Sequence, residues 1–220
     1  LARRLLEIGR GWRLRISSID PLDIDDGLIA LLADAEQVCP HLHLSIQSGD
    51  DDVRRRMGRG RGGQAVLGRI ARLRAVRADL VLGADFIVGF PGESEEDFCQ
   101  TLELAQRVSF DHAYSFIFSA RPGTVAAGME DLVPLAVAQE RLARLQAVLG
   151  ASQRAGNLAR VGCEESVLVE GHSKRDDGVL TGRTLHNRTV NFPGEATSIG
   201  QIVRVRVTEG LANSLRGELL

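Results

Sequence analysis

Leu80-Val81-Leu82-Gly83-Ala84-Asp85-Phe86-Ile87-Val88-Gly89-Phe90 is apolar throughout, interrupted only by Gly83, Asp85 and Gly89. A run without polar alternation reads as a strand covered on both faces, the pattern of a parallel sheet. Pro91-Gly92 ends it, and Ser94 with Asp97 three residues on has the form of a capping box, opening a helix through Phe98, Thr101, Leu102 and Ala105 to Val108. The same strand-then-helix order repeats on both sides. Upstream, Leu14 and Ile16 mark a first strand, and Asp25 and Asp26 can cap a helix carrying Leu28, Ile29, Leu31 and Leu32, with Pro40 expected to stop it. His41 to Ile46 alternates, with Leu42, Leu44 and Ile46 on one face, so it reads as a strand. Val66, Leu67, Ile70, Leu73 and Val76 follow at helical spacing, with Arg69, Arg72, Arg74 and Arg77 expected on the solvent side. Ala113 to Phe118 makes a fourth strand. The alternation predicts an α/β fold, a parallel sheet with crossover helices.

The pattern changes downstream. Leu142, Leu145, Val148 and Leu149 mark a long helix from Pro134 to about Arg160. Val167 and Val169, then Val190 and Phe192, then Val203, Val205 and Val207 alternate at period two between Gly, Asn and Asp turns, which predicts a small antiparallel barrel. The expected division is therefore residues 1–159 and residues 160–220.

Composition is that of a globular chain, 44% apolar and 25% charged over 220 residues, and no apolar stretch approaches the roughly 20 residues of a membrane span. The first ten residues show neither an initiator Met nor a signal-peptide pattern, so the start reads as an internal cut. Cys39, Cys99 and Cys163 lie about sixty residues apart, which suits neither a disulfide framework nor a metal site and predicts free thiols in a reducing cytoplasm. A net charge of −2 gives no global attraction to nucleic acid, so such a partner needs local patches. Arg54, Arg55, Arg56, Arg59 and Arg61 are one candidate patch.

In such sheets ligands bind beyond the C-terminal strand ends, where loops converge. Three expected strand ends are polar or glycine-rich: Gln47-Ser48-Gly49-Asp50, Gly89-Phe90-Pro91-Gly92-Glu93 and Ser119-Ala120-Arg121-Pro122-Gly123. There glycines can admit a nucleotide-like ligand or simply turn the chain, while Gln47 and Ser48 can hydrogen-bond its polar groups. Asp85 either faces that opening or pairs with a cation, since a lone buried carboxylate is costly. His41 and His43 share a strand face but lack an evident third ligand, which favours packing or hydrogen bonding over metal binding.

Asp85 to Glu93 with Asp97-Phe98, followed by Tyr114-Ser115-Phe116-Ile117-Phe118-Ser119-Ala120-Arg121-Pro122-Gly123-Thr124, resembles the radical-SAM methylthiotransferases. Gly182-Arg183-Thr184, Asn187-Arg188, Val190-Asn191-Phe192 and Asn213-Ser214-Leu215-Arg216-Gly217 resemble that family's TRAM domain, an OB-like barrel that binds RNA. The second sequence run is similar to the branch acting on isopentenyl-adenosine beside the tRNA anticodon. Ile16 to Pro21 and His41 to Asp51 are closer to the branch acting on threonylcarbamoyl-adenosine.

The resemblance implies the C-terminal part of a radical-SAM partial (βα) barrel followed by a TRAM barrel. It also implies S-adenosylmethionine and two 4Fe-4S clusters as cofactors, with tRNA as partner of a monomer. The implied activity is methylthiolation at C2 of isopentenyl-adenosine. Threonylcarbamoyl-adenosine, a ribosomal protein, or RNA binding without catalysis are the alternatives. Gln47, Ser48, Asp85 and Gly89 would lie on the cofactor side, Arg121 at the mouth, and Arg183, Asn187, Arg188 and Arg216 toward tRNA. The family's cluster cysteines, including its Cys-x-x-x-Cys-x-x-Cys, are not in this sequence. The chain alone is therefore expected to hold no cluster and to be inactive, and no catalytic residue is assigned.

Overall fold

The structure, a computed structural model, describes residues 2–9, 12–60, 63–174 and 176–220, without the side chains of Gln64 and Asp177. It divides into two compact units, Leu1–Leu149 and Gly150–Leu220.

The first unit opens with α1 (Ala2–Leu6) and β1 (Leu14–Ile19), then α2 (Asp26–Asp34), β2 (Val38–Gln47), α3 (Asp51–Arg56), α4 (Gly63–Val76), β3 (Val81–Val88), α5 (Glu95–Val108) and β4 (His112–Ile117). The four strands form one parallel sheet in the order β1-β2-β3-β4. Leu42, Leu44, Ile46, Leu82, Ala84, Phe86 and Val88 point to one side and are buried against Ile29, Leu32, Ile70, Leu73, Phe98 and Leu104 of the helices. Phe86 meets Phe110 edge to face, with ring centroids 5.5 Å apart. Each such fully buried side chain contributes about 1.5–3 kcal/mol.

Helix starts follow the sequence. Asp25 accepts from Leu28 N–H at 2.7 Å, and Ser94 and Asp97 form the expected reciprocal capping box. Pro40 does not stop α2, which ends at Asp34; instead it lies within β2. The arginines of α4 are not merely solvated. Arg69 and Arg74 donate to the carbonyls of Pro21 and Val108, and Arg77 donates to Leu32 O, so three of them tie α4 to its neighbours.

Full cover on both faces is not what the structure shows. The second face carries His43, Asp85, Tyr114 and Phe116, and Tyr114 and Phe116 are 60% and 55% exposed among the described residues. The sequence run of β3 looked covered because its second-face positions are Gly83, Asp85 and Ile87, two of them small or polar exceptions in an apolar stretch.

α6 (Leu135–Leu158) runs across the division between the units. The second unit then closes a five-stranded barrel, β5 (Glu164–Ser173), β6 (Asp176–Thr184), β7 (Thr189–Pro193), β8 (Ile202–Gly210) and β9 (Leu215–Leu219), in the order β5-β6-β7-β9-β8. Its core is Val167, Val169, Leu180, Val190, Phe192, Val205, Val207 and Leu215. Closure leaves no open sheet edge, which is how so small a barrel buries its backbone polar groups.

Candidate functional site

Parallel strands all end on the same side, so Gln47 at the end of β2, Gly89 beyond β3 and the segment after β4 share one edge of the sheet. Gln47 and Gly89 have φ of 66° and 70°, a left-handed backbone that turns the chain sharply at each strand end. A side chain at position 89 would also collide with Ala138, its Cβ 2.7 Å from that of Ala138. Ser48 is fully buried. Its hydroxyl accepts from Asp50 N–H at 3.1 Å and lies 3.3 Å from Thr101 Oγ1, so it secures the turn against α5 rather than presenting a group to a ligand.

Two arginines secure the loop after β3. Arg141 of α6 is buried and donates to the Glu93 carbonyl and to Glu93 Oε2, both at 2.9 Å, while Glu93 Oε2 also accepts from Gly89 N–H at 2.7 Å. Burial pushes the Glu93 carboxyl above the ordinary carboxylate range, against the downward pull of Gly89 N–H and Arg141. Arg56 of α3 donates to Pro91 O at 2.6 Å.

Asp85 sits on the second face, its carboxylate 30% exposed and 3.1 Å from His43 Nε2. Asp85 thus has a partner in His43 and still reaches solvent. His41 and His43 acquire a neighbour that sequence distance hid, His112 of β4. His41 Nε2 and His112 Nε2 lie 3.1 Å apart in nearly parallel rings, and the His43 ring is 5.7 Å from that of His112 and 6.0 Å from that of Tyr114. Gly83 makes this possible, because a Cβ there would stand 2.6 Å from His43 Nδ1 and closer still to His112 Nε2. Among the described residues no three metal-binding side chains are grouped to hold an ion. Arg121 is exposed in a turn closed by Thr124, whose hydroxyl donates to Arg121 O at 2.8 Å, and its guanidinium has no partner among the described residues.

The arginine patch expected between Arg54 and Arg61 is not a free cationic surface. Arg54 is 1% exposed and donates to Ile46 O and to Gly60 O, and burial lowers its pKa despite Asp20 nearby. Arg59 donates to Asp20 at 2.8 Å, Arg55 pairs with Asp52 at 3.0 Å, and Arg56 is held as above. Arg61 lies outside the described residues. The arginines alternate with acids and strand-end carbonyls in space, which a run of like charges in sequence does not reveal.

In the barrel, Thr184 N–H donates to Arg188 O and Asn187 N–H to Thr184 O, forming the expected turn between β6 and β7 with Asn187 at φ 62°. Arg183 is half-exposed, its Nη1 3.3 Å from Asn187 O and its Nε 3.5 Å from Glu170. Arg188 is held apart from Arg183, donating to Asn157 Oδ1 at 2.7 Å. Asn157 in turn donates to Leu211 O at 2.8 Å. Arg216 is exposed and donates to Glu209 at 2.9 Å. The register brings Arg216 beside Asn191, and Asn191 beside Thr181, a row that sequence reading did not single out.

Known proteins match both units. A model of the Radical SAM superfamily matches residues 1–105, and a model of the TRAM domain matches residues 159–220. A tRNA-2-methylthio-N(6)-dimethylallyladenosine synthase of Magnetococcus marinus is 49% identical over 220 residues, which is 100% of this chain and 50% of that protein. The protein of the same name from Methylococcus capsulatus is 48% identical over 208 residues, 94% of this chain and 45% of that one. The chain thus spans about half the length of the curated relatives it matches. Among solved structures, coproporphyrinogen III oxidase (HemN) from Escherichia coli, described as a radical SAM enzyme, aligns with a TM-score of 0.56 at 20% identity over 69% of this chain and 36% of its own, a likeness of fold. With a parallel sheet matched by the first model, a closed barrel matched by the second and relatives near half identity across both, the chain belongs to the radical-SAM methylthiotransferase family.

Proposed function

We propose that this chain forms one wall of the reaction site and the RNA-binding barrel of a tRNA methylthiotransferase that modifies C2 of isopentenyl-adenosine beside the anticodon. The observation that carries this reading is the near-half identity to proteins named tRNA-2-methylthio-N(6)-dimethylallyladenosine synthase, sustained through sheet and barrel alike. One S-adenosylmethionine, cleaved reductively, would supply the hydrogen abstraction, and a second, unreduced one would supply the methyl group. The residues on hand fit its binding: Asp85 offers a half-exposed carboxylate to a cationic ligand, held in place by His43, and Gln47 and Gly89 shape the strand-end turns beside it. Ser48, Glu93, Arg56 and Arg141 act as supports that keep those turns fixed.

Cys39, Cys99 and Cys163 do not fit an iron–sulfur cluster, since one is buried in β2 and one exposed on α5, and among the described residues no three metal-binding side chains are grouped. The part assigned to this chain is binding, orienting and excluding water. Arg121 would meet the target nucleotide, and Arg183, Asn187 and Arg216 the tRNA body. No helix among the described residues is long and apolar enough to cross a membrane. Action on tRNA would place the work in the cytoplasm, and the protein is taken as a monomer, checked by light scattering.

Mass spectrometry of tRNA nucleosides from a deletion strain tests the reaction. The methylthio group should vanish from isopentenyl-adenosine. Its loss from threonylcarbamoyl-adenosine alone would assign the other branch, and intact levels of both would leave an RNA-binding role.

A further inference from the structure

We propose that the outward face of β6, β7 and β9 reads the ribose of RNA through uncharged side chains. The proposal rests on the reading that this barrel binds tRNA, and it names the chemistry by which it does so. Thr181 stands opposite Asn191, and Asn191 opposite Arg216; one step along, Arg183 stands opposite Thr189. Their neighbours Leu180, Val190, Phe192 and Leu215 are buried in the barrel core, so the alternation of the strands sends these five side chains outward.

Thr181, Thr189 and Asn191 are half-buried, and among the described residues none of their side chains bonds to protein. Each can both donate and accept a hydrogen bond. No carboxylate stands among the five, and the acids lie at the margins, where each restrains an arginine: Glu170 beside Arg183 at 3.5 Å and Glu209 beside Arg216 at 2.9 Å.

The charge balance decides which part of the polynucleotide such a face suits. Residues 160–220 contain eight Lys or Arg and eight Asp or Glu, so phosphate attraction is weak, and the two flanking arginines are each partly neutralised. A phosphate oxygen only accepts. The 2′-hydroxyl donates and accepts, matching Thr and Asn in kind, and it separates RNA from DNA. Neighbouring strands about 4.8 Å apart place the three groups as a closely spaced strip between two cations that register the backbone on either side. Arg188 is outside this face; bonded to Asn157, it holds the β6–β7 turn.

The test is a binding titration of the full 220-residue chain against an RNA anticodon arm and a DNA arm of the same sequence, at several salt concentrations. The wild type should prefer RNA. Asn191→Ala and Thr181→Val should each weaken RNA binding about fivefold, the worth of one hydrogen bond. DNA binding and the salt slope should stay as they were, and circular dichroism should show an intact fold. Arg204→Ala, on the β8 side, should leave the RNA-to-DNA ratio unchanged. Folded Asn191 and Thr181 variants with the wild-type ratio would overturn the ribose strip and leave the RNA reading intact, as would a wild type that binds both arms equally. A wild type that binds neither arm would overturn both.

Discussion

Arg141 and Glu93 show how a site's support is set by single residues far apart in sequence. Glu93 could be read only as the end of a turn, because its partner lies 48 positions away and nothing in either local stretch announces the pair. Burial holds the Glu93 carboxyl above its ordinary value, so the folded chain keeps this proton more tightly than the unfolded chain. The contribution of the group to stability is therefore present below the ordinary carboxylate range and declines as pH climbs through the raised value. Removing Arg141 exposes the same logic. Arg141→Met should cost about 3 kcal/mol or more at pH 7, where it leaves a buried carboxylate without its cation, and clearly less at pH 5, where Glu93 can take up a proton. Urea unfolding followed by the fluorescence of Trp12, the single tryptophan, measures both. An equal cost at the two pH values would show that Arg141 acts through Glu95 and the Glu93 carbonyl instead.

At the scale of elements, what was legible followed from periodicity. β2, β4, α4 and α5 each have a run long enough for period two or 3.6 to show, and caps such as Ser94 and Asp97 are local signals. α3 was not legible: six residues, Asp51-Asp52-Val53-Arg54-Arg55-Arg56, hold one apolar side chain, and the arginines suggested a local patch for nucleic acid although Arg54 is buried under the strand ends. β6 was weak for a different reason, since Gly178 and Gly182 interrupt its alternation. Gly182 is required there, because a Cβ would strike Leu168 O and come 2.6 Å from Val167 Cγ1. The His41–His112 contact, 71 residues apart, is a product of sheet order, which local pattern does not encode.

The same close approach explains how α5 docks on the turn after β2. Gly49 N–H donates to Thr101 Oγ1 at 2.9 Å, and a Cβ at Gly49 would stand 2.5 Å from Gln100 O and 2.6 Å from Thr101 Cα. These are backbone atoms within α5, and a helix cannot yield them singly. Gly49→Ala should thus destabilise the first unit by about 1–3 kcal/mol, seen in urea unfolding by Trp12 fluorescence, with the barrel unaffected in hydrogen exchange. A stability equal to wild type would mean that α5 is not packed on this turn.

For the whole molecule, near-neutral charge means that binding rests on local surfaces, and the two proposed surfaces are the sheet face with Asp85 and the barrel face with Asn191. Neither surface contains the ligands of an iron–sulfur cluster. Cys39 is buried in β2, Cys99 is exposed on α5 with its thiol near Glu95, and Cys163 follows α6 in the second unit. Thiolates can share a four-iron cluster only when they converge on it, and among the described residues no three metal-binding side chains are grouped. The 220-residue chain, reconstituted anaerobically with iron and sulfide, should therefore retain no stoichiometric iron, show no charge-transfer absorbance and cleave no S-adenosylmethionine. Triple replacement of the cysteines by serine should change none of these readings. A retained four-iron cluster lost in the triple variant would show that the cysteines do converge, and would move the electron-transfer chemistry onto this chain.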